Sequence, residues 1–387
     1  MSGICGYFGK NLARRSLPRE SLAHRGPDSW NEVWGDGFGL GCAHFSLRHP
    51  DEDRQPVCNE DQTIWLVCDG RIYNHHALRE ELVRRHSFRT DTAAEVIVHL
   101  LEEEGPDGLR RLDGMFALAA FLPGGAILAR DPLGIKPLYF RTEGEDCFFA
   151  SELKAFPGDK GNVRELPAGC LYRLGIGLQP YYELAREYRR DLDRMTIHSE
   201  LRRRLHEAVT KMHSPDVATG VFLSGGLDSA LVAAIAARGQ SELHTFSVGC
   251  GESPDRHYAR LVAEHLGSHH HEYTLEAEQM WEALPEVIYH LESYDYALVR
   301  SAVANFFLAR FARDFAKVVL VGEGADELFG GYAYLDRFTD WDDLHRELRE
   351  ITAGLYNTGL QRVDRMSAAH GLEARLPFLD TKLVDFS

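Results

Sequence analysis

The chain has 387 residues, 44% hydrophobic and 26% charged, ordinary for a globular protein and long enough for two domains. Forty-three basic residues face 59 acidic ones, and the net charge of −16 argues against nonspecific binding to nucleic acid or anionic membranes. No segment approaches bilayer-spanning apolar length, residues 1–6 lack the start of a signal peptide, and the seven cysteines form no CxxC pair, so a reduced, cytoplasmic protein is expected.

To about residue 180, short β-type runs dominate, at 63–68, 116–121, 126–129 and 147–150, each bounded by Gly, Asp or Pro. Helical periodicity is found at 77–85 and 93–104, which together with the strands predicts layers stacked around sheets. From 185 to 204 both signs of charge crowd the chain, which reads as a linker entering a solvated helix. Domains are therefore expected at 1–185 and 195–387. Beyond the linker, 217–221 reads as a buried strand running into 221–223. Further strands are expected at 244–248 and 317–321, and helices at 230–237, 258–266 and 301–315. That alternation predicts a parallel α/β sheet with its motifs at strand C-terminal ends, where such sheets bind ligands.

Between the strand and the helix at its centre lies Phe222-Leu223-Ser224-Gly225-Gly226-Leu227-Asp228-Ser229. A Ser/Gly-rich turn entering a helix offers backbone N–H groups to pyrophosphate, and Asp228 with the hydroxyls leans toward a metal. No Gly-Lys-Ser/Thr follows, so the spacing is not the Walker type. The turn resembles the pyrophosphate loop of the ATP pyrophosphatases, which cleave ATP to AMP and pyrophosphate; the bland alternative is a Gly-rich surface turn.

More motifs follow in order. They are His24-Arg25-Gly26-Pro27-Asp28, Asp113-Gly114-Met115-Phe116-Ala117, Arg130 to Tyr139, Ser247-Val248-Gly249, Gly322 to Tyr332, and Glu373 to Asp380. With them the chain resembles the glutamine-dependent asparagine synthetases over essentially its whole length. The resemblance implies an N-terminal Ntn-hydrolase-like αββα glutaminase domain and a C-terminal ATP-pyrophosphatase (adenine nucleotide α-hydrolase-like) parallel-sheet domain. In that family, ammonia made by the first domain travels internally to an aspartyl-AMP intermediate in the second.

The glutaminase half departs from the family pattern. Where the family begins Met-Cys-Gly-Ile, freeing a Cys whose α-amine is the base, this chain has Met1-Ser2-Gly3-Ile4. The family's oxyanion-binding Asn is Asp69 in Asp69-Gly70-Arg71, and its glutamine-holding Glu is Arg71. An ionised Asp69 would oppose the developing negative charge, and loss of one such donor alone costs about 3 kcal/mol. His44 stands where the carboxylate-binding Arg is expected, and Ala93 where the amine-binding Asp is, with Asp91 two residues away. The resemblance thus implies an inactive glutaminase. Asp69, Arg71 and His44 either pair with one another to fill the vacated pocket or serve another ligand.

The synthetase half keeps the family's chemistry. By resemblance, Ser224, Gly225, Gly226 and Ser229 hold the phosphates of ATP, Leu223 belongs to the same ATP-binding set, Asp228 and Asp326 bind Mg²⁺, and the backbone at Val248 and Gly322 meets adenine and ribose. Glu323 matches the candidate base for attacking ammonia; the related β-lactam synthetases, which use an internal amine, carry Tyr there. Arg300 could clamp an acceptor carboxylate or be a buried structural Arg, and Ala297 and Leu298 replace two family hydroxyls. The expected substrates are a small carboxylate, aspartate or an analogue, and ammonia. A homodimer or an ammonia-supplying partner protein is the expected association. The alternatives are an amine-using amide or lactam synthetase and a non-catalytic nucleotide-binding subunit. The family continues past Asp380 into a helical segment with an Arg-x-Lys motif, so this sequence, ending at Ser387, is either truncated or without that Lys. His269-His270-His271-Glu272 looks metal-like, but adjacent ligands cannot all face one ion, and a surface turn is expected.

Overall fold

Short β-type runs separated by turn residues fold, in the first half of the chain, into two six-stranded antiparallel sheets. The computed structural model describes residues 2–9, 14–47, 54–186, 191–213, 217–240, 242–251 and 253–387. It divides into two units, Met1–Glu183 and Leu184–Ser387. In the first unit, one sheet runs, in spatial order, Arg164–Glu165, Tyr139–Glu143, Asp146–Ala150, Ser2–Phe8, Phe38–His44, Ser29–Gly35. The other runs Gly177–Pro180, Cys170–Arg173, Gly125–Arg130, Gly114–Leu122, Trp65–Ile72, Val57–Cys58.

Side chains alternate faces along a strand, and Trp65–Ile72 shows what that does. Val67 points into a core shared by the two sheets, with Ile4, Phe8, Leu40, Ala119 and Phe149. Its neighbours Leu66 and Cys68 point the other way, beneath the helices His75–Leu82 and Ala93–Glu104. A third cluster, including Cys5, Leu22, Tyr139 and Phe156, covers the far face of the first sheet. The layers are those of the αββα arrangement.

In the second unit a five-stranded, wholly parallel sheet has the order His269–Thr274, His244–Gly249, Thr219–Phe222, Val318–Leu320, Glu373–Arg375. The chain builds outward from Thr219–Phe222 on one side, then returns to build on the other. The point where the order reverses therefore lies between Thr219–Phe222 and Val318–Leu320. The helix Arg194–Met212 is clasped to the last part of the unit. Arg375 donates to the Met212 carbonyl at 2.5 Å, Arg204 to the Lys382 carbonyl at 2.8 Å, and Lys211 pairs with Asp380.

Several expectations need correction. The helix expected from 230 begins at Leu227, so Asp228 and Ser229 belong to its first turn rather than to the loop. The strand placed at 63–68 is Trp65–Ile72, which carries Asp69, Gly70 and Arg71 inside a sheet. The expected turn at 269–272 is an edge strand, whose alternation sends His270 to Thr245 and Ser247, His271 to His244, and Glu272 to Arg256 and Arg260. Of the charged stretch at 185–204, residues 187–190 lie outside the described residues and 194 onward is helix.

Candidate active site

The Gly-rich turn after Thr219–Phe222 is shaped by hydroxyls. Ser229 Oγ lies 3.0 Å from Ser224 Oγ and accepts from the Ser224 amide at 3.2 Å, and the Gly226 amide donates to Ser224 Oγ at 3.3 Å. Gly225 has φ +84°, and a Cβ there would lie 2.6 Å from the Ala259 nitrogen in the neighbouring helix Pro254–Leu266. The position therefore demands glycine on two counts. The turn opens into the first turn of the helix Leu227–Ala236, with Ser224, Gly226 and Leu227 exposed. Unsatisfied N–H groups and a positive dipole end make such a terminus attractive to phosphate.

Across the reversal point the Val318–Leu320 strand delivers the second set of residues. A Cβ on Gly322 would lie 3.0 Å from the Ser229 nitrogen and 3.3 Å from the Asp228 Cβ, so the two loops touch. Burial and then the Asp326 carboxylate push the Asp228 carboxyl above the usual carboxylate range. A second carboxylate close enough to oppose the ionisation of Asp228, at the mouth of a phosphate-shaped loop, suits a divalent cation between the pair and the phosphates. Val248 sits half-buried at the end of the adjacent strand.

Glu323 is tied down from a helix far along the chain. Arg362 donates to its Oε2 at 2.6 Å, and its Oε1 would be 2.1 Å from a Cβ on Gly359, which opens the same helix, Gly359–Ala368. Glu327, in the helix Ala325–Phe329, accepts from the Tyr332 hydroxyl. Burial pushes its carboxyl up, with Glu323 and Asp326 adding to the effect. Arg300 is exposed in the helix Tyr296–Ala312, its guanidinium 5.8 Å from the Tyr296 ring centre, which removes the buried structural reading. Arg362, Glu327 and Tyr332 were not assigned roles from sequence. Glu327 and Tyr332 lie within the Gly322–Tyr332 motif, but nothing local marks Arg362 as the partner of a glutamate 39 residues away.

The pocket of the first unit has a different character. Ser2 begins a strand paired with Phe38–His44, in register with His44, and its amide donates to Asp69 Oδ1 at 2.7 Å. The other Asp69 oxygen accepts from Arg25 at 2.9 Å, and Arg25 also donates to Glu152 at 2.9 Å and to the Ser2 carbonyl at 3.0 Å. His24 and Lys154 also meet Glu152. The Arg25 and Asp69 side chains are wholly buried. The cation that meets Asp69 is thus Arg25, a partner the sequence reading missed although the motif containing it stood out. Gly70, at φ +130°, brings its backbone so near the adjoining strand that a Cβ would lie 2.0 Å from the Met115 carbonyl oxygen. Burial, with Asp69 adding to it, pushes the nearby Cys42 thiol up to about 12, so it stays protonated and poorly nucleophilic. Ala93 opens the helix Ala93–Glu104, and the neighbouring Asp91 is exposed and paired with Arg79 at 3.0 Å.

Among known proteins, the Asparagine synthase family matches residues 200–342 and 336–387, and the Glutamine amidotransferase domain family matches residues 1–179. The chain is 37% identical over 408 residues to glutamine-hydrolyzing asparagine synthetase 2 of Arabidopsis thaliana, covering 99% of this chain and 69% of that protein. It is 37% identical over 412 residues to glutamine-hydrolyzing asparagine synthetase B of Escherichia coli K12, covering 99% and 74%. A probable glutamine-hydrolyzing asparagine synthetase of Dictyostelium discoideum is 35% identical over 402 residues, covering 97% and 72%.

Proposed function

Because the chain belongs to the glutamine-hydrolysing asparagine synthetase family, we propose that it is an ATP-dependent, AMP-forming C–N ligase that uses ammonia without making it. It adenylates a small carboxylate, aspartate or an analogue, and transfers ammonia to the activated carbonyl. The observation that carries the second half of this reading is the state of Asp69. Both its oxygens are taken, by Arg25 and by the Ser2 amide, in a wholly buried cluster. A carboxylate fixed where an oxyanion must form works against that charge, and a hydroxyl replaces the thiol at the nucleophile position.

In the second unit, the amides and hydroxyls of Ser224, Gly225, Gly226 and Ser229 would cradle the phosphates, and the backbone at Leu223, Val248 and Gly322 would border the nucleoside. Asp228 and Asp326 would hold Mg²⁺, whose charge offsets that of the leaving pyrophosphate. The acceptor carboxylate attacks the α-phosphorus, the Pα–O bond to pyrophosphate breaks, and an acyl-adenylate remains. Ammonia would then attack the acyl carbon, AMP would leave, and Glu323 would take the proton the nitrogen sheds. Arg362 and Gly359 hold that carboxylate in one orientation. Arg300, exposed on the helix Tyr296–Ala312, is the residue we assign to the acceptor's carboxylate.

The test is pyrophosphate release from Mg-ATP with aspartate, comparing ammonium with glutamine as nitrogen source. Release and amide formation with ammonium, and no glutamate from glutamine, is the expected result. Amide formation that needs glutamine overturns the inactive-glutaminase reading. Absence of release with aspartate and with every carboxylate in a screen overturns the ligase reading in favour of a nucleotide-binding subunit.

A further inference from the structure

Among the described residues only two that are not glycine have a positive φ, Gln62 and Glu292. Glu292 closes the helix Ala277–Leu291 with φ 57° and ψ 35°, its amide donating to the Ile288 carbonyl at 2.9 Å. Helix ends of this shape favour glycine, which has no Cβ to oppose the left-handed backbone. A glutamate held there carries backbone strain that contacts of its side chain must offset.

Those contacts are buried. Glu292 Oε2 lies 3.2 Å from Arg365 Nη2, with the Arg365 side chain wholly buried and that of Glu292 nearly so. Arg365 belongs to the helix Gly359–Ala368, the one that holds Glu323 through Arg362. Four residues earlier on that helix, Gln361 donates to the Leu291 carbonyl at 2.8 Å, so two side chains of one face grip the same chain end. Met366 packs in one apolar cluster with Val287, Leu291 and Leu298, which leaves the helix little room to shift.

The path from Glu292 to the acceptor side is short and ordered. The Asp295 amide donates to Ser293 Oγ at 3.1 Å, and the Asp295 carboxylate caps the helix Tyr296–Ala312 by accepting from the Leu298 amide at 2.8 Å. Arg300 lies further along that helix. The direction in which the chain leaves Glu292 therefore sets where the cap forms and where Arg300 stands. Gln361 and Arg365 hold the start of this path, while Arg362, on the same helix, holds Glu323.

We propose that Glu292, Gln361 and Arg365 are positioning residues: through one helix they fix the segment bearing Arg300 relative to Glu323, and so set the affinity for the acceptor carboxylate. This role rests on the ligase reading and on Arg300 as the acceptor's partner. It makes the buried Glu292–Arg365 pair a condition for that arginine to work at full strength.

The experiment measures steady-state pyrophosphate release with ammonium and the carboxylate the parent uses, in the full chain, Glu292→Gln, Arg300→Ala and the double variant. Glu292→Gln keeps the shape of the side chain and removes the charge that Arg365 meets. It should raise the KM for the carboxylate about 5- to 20-fold, leave the KM for ATP within about 2-fold, and keep the parent's circular dichroism. In the Arg300→Ala background the same change should move the carboxylate KM by less than about 2-fold, because it acts through Arg300. A merely structural pair would lower the melting temperature and leave the two KM values in their original ratio. An unmoved carboxylate KM in Glu292→Gln, or effects that multiply in the double variant, would overturn the proposal and leave the ligase reading standing. A parent that releases no pyrophosphate with any carboxylate overturns the ligase reading, and this role with it. Should Glu292→Gln lose its circular dichroism, Gln361→Leu, which removes the contact to the Leu291 carbonyl, is read by the same criteria.

Discussion

Around Asp69 each buried charge meets an opposite one within hydrogen-bonding distance, whereas around Asp228 like charges stand together. Arg25 spans Asp69 and Glu152, and Lys154 and His24 close the cluster. In the second unit, burial and the Asp326 carboxylate raise the cost of ionising Asp228, and neither aspartate has a basic partner within ion-pair distance among the described residues. Mutual neutralisation suits a pocket that no longer receives a substrate, because every group is satisfied by the protein itself. Charge left without a partner needs something from outside to complete it. The contrast is therefore the physical basis of the proposed division between a synthetase centre and an inactive glutaminase centre.

The sharpest way to break the comparison is Arg25→Ala. It leaves the buried Asp69 carboxylate without its cation, while Glu152 keeps Lys154 and His24, and should cost about 3–5 kcal/mol, read as a lower denaturant midpoint, while the second unit is spared. A loss below 1 kcal/mol would mean that the cluster is hydrated and open. Next comes Asp326→Asn, expected to reduce ammonia-dependent pyrophosphate release by roughly 10²–10³-fold. An active variant would remove the cation role assigned to the pair.

Asp228→Asn sharpens the comparison from the stability side. A carboxyl whose pKa is raised on folding carries no penalty below its unfolded value, and the full penalty once pH has risen through the folded one. The variant should therefore unfold about 1–2 °C higher than the parent at neutral pH, with the gain vanishing in acid, although its activity is lost. A lower melting temperature at pH 7 would contradict the like-charge account. The smallest expected effect is that of Ser2→Cys. Restoring a thiol leaves Asp69 in place, so glutamate release from glutamine should stay undetectable; appreciable release would show that the pocket is still competent.

What could be read from sequence was local. The helix Ala93–Glu104 was bounded correctly because its signals lie within it and at its ends: Thr92 caps it by accepting from the Glu95 amide, and Gly105 ends it. The Ser224–Ser229 turn was legible because glycines and hydroxyls between strand and helix have few other uses. The strand Ser2–Phe8 was not legible. Its glycines look like breakers, yet Gly6 is there because a Cβ would lie 2.3 Å from the Gly39 carbonyl oxygen on the neighbouring strand. Arg25 with Asp69 and Arg362 with Glu323 are separated by 44 and 39 residues, and only the folded chain brings them together. The adjacent histidines at 269–271 were expected in a surface turn, whereas they lie in an edge strand that a sequence window without its neighbour strand does not reveal, with His270 turned to Thr245 and Ser247 and His271 to His244.

The clasp on the helix Arg194–Met212 sets a timetable for the ribosome. Its partners are the Arg375 side chain and the Lys382 carbonyl, 163 and 178 residues further along. At about 5–20 residues per second, the helix waits roughly 8–36 s for them. During that interval Leu205, Ala208, Val209 and Met212, buried in the finished fold, lack part of their cover. The edge strand Glu373–Arg375 joins its sheet equally late. Slow translation thus lengthens the exposure of a sticky surface.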